Sequence, residues 1–301
     1  MTEVSALVSR GAWWRWALVS LTVSATTFAT IHATRNVALF PGLALLSSLV
    51  VPGTVLAYVV GRGGTGLAGL AGVAGAFLLA AFGATVVAAV AEWGLFGDWA
   101  HAALHTTSDA AVRVHPPPPM PPWKAAVASL VEESAKLTCV VLAGRALWRT
   151  RSGGGLGGLV LGVAAGAGFA VIESAGYTFN AFLADRGALA LPLHIAFLRG
   201  ALAPMGHVAC TGLLGAAWFS ARQSGRWVAG AWATAGVLAL HTAWDAFPAG
   251  LRALGVTASP LVGHLLLALV VGVPGLAALL VAMRRVSPPE AAAMTANPSG
   301  P

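Results

Sequence analysis

The chain has 301 residues, 57% of them hydrophobic and only 9% charged, with a mean hydropathy of +0.80. Soluble domains carry about 25% charged residues, so this composition excludes an ordinary soluble enzyme and predicts an all-α polytopic transmembrane bundle. The net charge of +7 does not indicate a nucleic-acid partner, because the basic residues sit in short gaps between apolar runs, where orientation signals belong.

Apolar runs predict eight spans, at about 13–33, 37–60, 66–91, 123–147, 156–184, 193–220, 227–247 and 260–283. The first opens with Trp13-Trp14-Arg15-Trp16, an interfacial anchor, and lacks a small-x-small cleavage site, so it reads as a retained helix. With the N-terminus inside, the inner segments hold Arg10, Arg15, Arg62, Arg145, Arg149, Arg151, Arg222, Arg226, Arg284 and Arg285. The outer segments hold only Arg35, Arg113, Lys124, Arg186 and Arg252, while Lys136 and Arg199 fall within spans. This excess of inner cations predicts both termini in the cytoplasm.

Spans two and three are rich in Ala, Gly and Val, with Gly66, Gly69, Gly72 and Gly75 closely spaced, and read as packing scaffold. Segment 92–122 is the longest predicted outer loop. Its Asp98, His101 and His105 would share one face of a short helix with metal-ligand spacing, but an exposed loop needs polar residues anyway, and that reading is preferred. The loop ends in Pro116-Pro117-Pro118-Pro119-Met120-Pro121-Pro122, a stiff polyproline II linker.

Span four carries Glu132, Glu133 and Lys136. An ionisable group at bilayer depth costs about 2.5–3.5 kcal/mol on insertion scales, so three within five residues require a reason. Glu132 and Lys136 are one helical turn apart and can pair, which a buried packing lock would explain. Glu133 points about 100° away, so its partner must come from another helix.

Span five opens on glycines 154, 158, 162 and 166, continued by Ala170 and Ser174, a ridge that predicts one very close helix contact. Glu173 lies seven residues past Gly166 and so points into the bundle, with Tyr177 and Asn180 following. Span six carries Arg199 and His207, on nearly one face and about 12 Å apart along the axis. Arg199 could neutralise a carboxylate or snorkel to the headgroups. Span seven ends with His241 and Asp245 one turn apart, so that Asp245 can orient the imidazole. His264 near the start of span eight reads as a packed polar residue, and Cys139 and Cys210, both inside apolar runs, as packing residues.

The chain thus divides into a scaffold with the outer Pro-rich loop at 1–122, a four-helix core at 123–250, a last helix at 251–285 and a tail at 286–301 expected to be disordered. The core holds nearly all ionisable residues predicted at depth. Two histidines with a carboxylate are a familiar ligand set for a divalent metal, and a further glutamate could deprotonate a bound water.

These residues resemble the PrsW family of intramembrane proteases, distantly related to the CAAX-processing and bacteriocin-immunity proteases. The resemblance covers about 110 residues through Glu132-Glu133-Ser134-Ala135-Lys136, Phe169 with Glu173, Arg199 with His207, and His241-Thr242-Ala243-Trp244-Asp245. Ser174 stands where the family usually has Asn. The resemblance implies hydrolysis of a peptide bond in a membrane-anchored protein, such as an anti-sigma-factor-like regulator, in a bacterial inner membrane. It implies Glu132 as general base, Glu133 supporting the water or the metal, Glu173, His207 and His241 as ligands of a divalent metal such as Zn2+, and Lys136, Arg199 and Asp245 around them. Its partners are then the substrate and the lipid bilayer, with no nucleic acid. Counting residues from the outer span ends puts Glu132, Glu173 and His241 in the outer half of the bilayer, which predicts cleavage near the outer boundary.

Two other classes also place such groups within a membrane. A transporter or channel would do so, but the ionisable residues crowd into one half of the chain and no inverted repeat is visible. A non-catalytic scaffold of the same fold has no need for EExxK, Glu173, His207 and His241 together.

Overall fold

The computed structural model describes residues 13–61, 65–106, 120–150, 154–184, 187, 189–202, 204–256 and 260–286. These residues are 95% helical and contain no strand. In chain order they form α1 (Trp13–Thr34), a single 3-10 turn and α2 (Phe40–Val59). Next come α3 (Thr65–Leu78), which passes through a π-helical turn at Leu79–Ala84 into α4 (Thr85–Thr106), α5 (Pro122–Ala143), the short α6 (Arg145–Thr150) and α7 (Gly154–Ala184). Helix α8 (Ala190–Leu202) leads through a π-helical turn at Pro204–Val208 into α9 (Ala209–Ser224), and α10 (Trp227–Ala253) comes after it. The last pair is α11 (Pro260–Leu267) and α12 (Val273–Val286), again with a π-helical turn between them.

Among the described residues six helical stretches are long and apolar enough to cross a membrane: Trp13–Thr34, Val37–Val59, Gly69–Gly97, Gly154–Leu183, Ala190–Ser224 and Val262–Arg284. The two other long helices, α5 and α10, fall outside that set. They carry Glu132, Glu133, Lys136, His241 and Asp245, and these groups lower their hydropathy.

One boundary differs from the sequence expectation. The segment expected to be loop from residue 92 onward remains helical to Thr106. The helix bends at Phe96 (φ −131°, ψ 20°), whose buried ring meets Trp123 edge-on at 6.0 Å and lies under the Lys124 ammonium at 5.4 Å. Aromatic packing against the start of α5 thus carries α4 past Gly94. The side chains of Asp98, His101 and His105, most of the proline segment and the tail beyond 286 lie outside the described residues.

The centre of the bundle is α7. Of its span, 89% is buried against 17% for α1, and α2, α3, α5, α8 and α9 all pack on it. Glycine spacing is the cause. A Cβ at Gly158, Gly162 or Gly166 would collide with the backbone carbonyl of Gly215, Thr211 or His207, and one at Gly168 with that of Phe77. Small residues every fourth position let the α7 and α9 backbones touch, the packing expected where lipid supplies no hydrophobic drive. The ridge therefore ends against the backbone of His207.

Helix α1 meets the membrane differently. Leu18, Val19 and Leu21 face outward, and its hydroxyls turn back on their own helix: Ser20 Oγ donates to Trp16 O at 2.7 Å, Ser24 Oγ to Ser20 O at 2.8 Å and Thr27 Oγ1 to Val23 O at 2.8 Å. These hydroxyls are satisfied within their own segment, as a helix in lipid requires. Trp148, Trp218, Phe219 and Trp227 form an aromatic cluster, with Trp218 Nε1 donating to Thr234 Oγ1 at 2.9 Å.

Candidate active site

The charged residues of four helices meet at one buried point. On α5, Glu132, Glu133 and Lys136 are all buried. The Lys136 ammonium lies 3.1 Å from Glu132 Oε2 and 2.6 Å from Glu133 Oε1. It also stands 3.3 Å from His207 Nδ1 and 4.2 Å from the centroid of the Phe169 ring. One cation thus serves both carboxylates of the pair. Glu133 also has the partners from other helices that its direction requires: Thr211 Oγ1 donates to Oε2 at 2.9 Å, and His241 Nδ1 lies 3.0 Å from Oε1.

His207 comes from the π-helical turn between α8 and α9. Such a turn inserts an extra residue and rotates the next stretch of helix, a device common at functional positions. The rotation lets Arg199 and His207 reach one carboxylate: Arg199 Nη2 lies 2.7 Å and His207 Nε2 2.8 Å from Glu173 Oε2. Arg199 therefore neutralises a carboxylate, and its guanidinium stacks 3.9 Å from the Tyr177 centroid. His241 is fully buried on α10, with Asp245 Oδ2 3.6 Å from its Nε2. Glu133 is thus the closer orienting group.

These contacts define the ring edges. With Glu173 accepting from His207 Nε2–H and Glu133 from His241 Nδ1–H, each neutral imidazole has its lone pair on the other nitrogen. The other nitrogens turn to Glu132: His207 Nδ1, which also faces the Lys136 ammonium at 3.3 Å, and His241 Nε2 each lie 3.6 Å from its Oε2. His241 Nε2 is buried and has no hydrogen-bond partner among the described residues. Glu132, His207 and His241 each offer a ligand atom within 4.8 Å of the others. Donors about 2.1 Å from one tetrahedral ion stand about 3.4 Å apart, so the spacing suits a divalent metal with two nitrogens and one oxygen. The carboxylate that joins the histidines here is Glu132, while Glu173 sits behind His207.

A cleft of about 200 Å³ opens beside this cluster, lined by Glu132, Phe169, Glu173, Tyr177 and Asn180 on one side and Thr85, Ala88, Ala89 and Glu92 of α4 on the other. A smaller cavity of about 90 Å³ is lined by His207 and includes Ser174, Arg199 and Trp244. Ser174 Oγ is buried with no hydrogen-bond partner among the described residues, so the position where Asn is usual makes no polar contact.

Every candidate named from sequence in spans four to seven reaches this cluster. Sequence reading missed Thr211 and Glu92. Thr211 lies four residues past His207, hence on the same helical face, and that periodicity was a usable signal. Glu92 was hidden by its assignment to a loop.

An all-α membrane protein with a buried pair of carboxylate-oriented histidines facing a glutamate is, by class, a candidate membrane-embedded hydrolase. The sequence model described as PrsW family intramembrane metalloprotease matches residues 69–279, and the chain belongs to that family. No curated protein and no solved structure matches it.

Proposed function

We propose that this protein hydrolyses a peptide bond of a membrane-anchored protein in the cleft between α4 and α7, with Glu132 as general base. The observation that carries this reading is the convergence of two imidazole nitrogens on Glu132 Oε2, at 3.6 Å each, at the edge of a cleft. Glu132 makes all these contacts through Oε2. In the proposed reaction its Oε1 takes a proton from the attacking water, the water oxygen bonds to the scissile carbon, and the proton passes to the leaving amine as the C–N bond breaks. Glu133 and Glu173 hold the two imidazoles, Lys136 and Arg199 hold those carboxylates, and Asp245 flanks His241 Nε2.

His207, His241 and Glu132 are the residues that fit a divalent metal such as Zn2+. When bound there it would lower the pKa of a coordinated water and offset charge on the carbonyl oxygen. Glu173, implied as a ligand by the family resemblance, is here proposed as the group that orients His207.

The substrate class we infer is a single-spanning regulator of the anti-sigma-factor type, in a bacterial inner membrane, cut near the outer boundary. The excess of inner arginines supports this orientation, with α5 and α10 also crossing the membrane. Glu132 would then lie about 12 Å below the outer edge, counting eight residues from Lys124.

The test is Glu132→Gln in purified protein with a membrane-anchored reporter. It keeps shape and hydrogen bonding but removes the base, so cleavage should fall by about 10²–10⁴-fold with the protein still inserted. Full activity would remove Glu132 from the mechanism. For orientation, with Cys139 and Cys210 replaced, single cysteines beside Glu173 and His241 should react with an impermeant thiol reagent added outside. Labelling only from the cytoplasmic face would reverse the proposed side of cleavage.

A further inference from the structure

The cleft has a second acidic wall that the reaction does not use. Glu92 projects from α4 on the same face as Thr85, Ala88 and Ala89, at positions i, i+3, i+4 and i+7. Ala88, Ala89 and Gly176 are the small residues of its lining, a Cβ at Gly176 would meet nothing within 4 Å, and Glu92 is the only ionisable group among the lining residues of α4. The other two lining carboxylates have cations: Glu132 has Lys136 and Glu173 has Arg199. Glu92 forms no ion pair among the described residues, and its Oε1 is buried without a hydrogen-bond partner. Burying an acceptor without a partner is costly, so a donor that enters the slot beside Glu92 gains free energy that no internal contact supplies. The α4 face from Thr85 to Glu92 is about 10 Å long, which accommodates about three residues of extended peptide.

We propose that Glu92 is a specificity-determining residue, which pairs with a lysine or arginine side chain of the substrate while the scissile bond lies at Glu132. This rests on the protease reading above. A peptide without a cation at that position leaves Glu92 unsatisfied and loses affinity, the asymmetry by which a buried polar group selects its ligand.

The experiment uses the full chain and a set of membrane-anchored reporters, each with one lysine moved stepwise along either side of the scissile bond, and a norleucine series as control. Wild-type protein should favour lysine at one position. In Glu92→Gln the ratio of kcat/KM for lysine over norleucine there should fall by about tenfold or more. Glu92→Lys should reverse the preference, favouring a glutamate in the reporter, a rescue that a merely structural role would not produce. Equal losses on all reporters, or no lysine preference in wild type, would overturn the proposal.

A binding measurement separates this from failure of the protease reading. Glu132→Gln protein with a photo-crosslinking residue at Ala89 should capture the lysine peptide in preference to the norleucine peptide, and Glu92→Gln in that background should abolish the preference. Capture with no cleavage by wild type would retain the site and overturn the protease reading. Equal capture of both peptides would overturn the site.

Discussion

Helices α1 and α7 are both apolar and long enough to span a membrane, yet they solve the same problem in opposite ways. In α1 the hydroxyls of Ser20, Ser24 and Thr27 each bond to a carbonyl one turn back, and most of the helix surface faces outward. In α7 the charged group is Glu173, which no local bond satisfies, and its partners Arg199 and His207 come from the next segment. A membrane helix can keep a carboxylate only if other helices bring it cations and donors, and they can come close only where its surface is small. The glycine ridge that buries α7 is thus a precondition for the site as well as for packing.

The sharpest way to break the buried side of this contrast is Lys136→Met. Two buried carboxylates would lose their shared cation, a loss of about 3–5 kcal/mol on general grounds. We expect a large fall in folded protein extracted in mild detergent. Unchanged yield and unfolding temperature would show that Lys136 is not the counter-ion of Glu132 and Glu133.

Gly162→Leu tests the ridge itself. The new side chain would meet the Thr211 carbonyl, so overpacking should cost about 1–3 kcal/mol or more and push α9 away from α7. Activity should fall with stability, because Thr211 and His207 lie on the displaced face. A stable, active Gly162→Leu would mean that the ridge does not position the site.

Smaller effects separate orientation from charge. Glu133→Gln retains an acceptor for His241 but removes a charge beside Lys136, so folded protein should survive with cleavage reduced by more than about tenfold. Wild-type turnover in this variant would sink the orienting role. At the far end of the scale, Thr27→Val on α1 removes a hydroxyl that only its own helix uses. Its effect on the unfolding free energy should stay within about 0.5 kcal/mol. A larger loss would place Thr27 in a contact between helices and blur the distinction between α1 and α7.

The site was legible to the extent that its residues break local rules. Glu132, Glu133, Lys136, Glu173, Arg199, His207, His241 and Asp245 stand out because ionisable groups in apolar runs are expensive, and that cost is a property of composition. The all-α class and the close contact along Gly158, Gly162 and Gly166 came from hydropathy and from four-residue spacing. Glu92 was not legible, because its place depends on α4 continuing past Gly94, and that continuation comes from Phe96 packing on Trp123 in a separate helix.

Which residues pair was likewise a tertiary decision. Helical periodicity joined Lys136 to Glu132, yet Lys136 lies closer to Glu133. It set Arg199 and His207 about 12 Å apart along one helix, yet the π-helical turn at Pro204–Val208 brings both to Glu173. It gave His241 to Asp245, yet Glu133 holds its Nδ1. Sequence alone determined which groups had to be buried and on which helix face each began, since both are matters of cost and period within one segment. The choice among several carboxylates within reach depended on backbone approaches between segments distant in the chain, and only the folded bundle sets those distances.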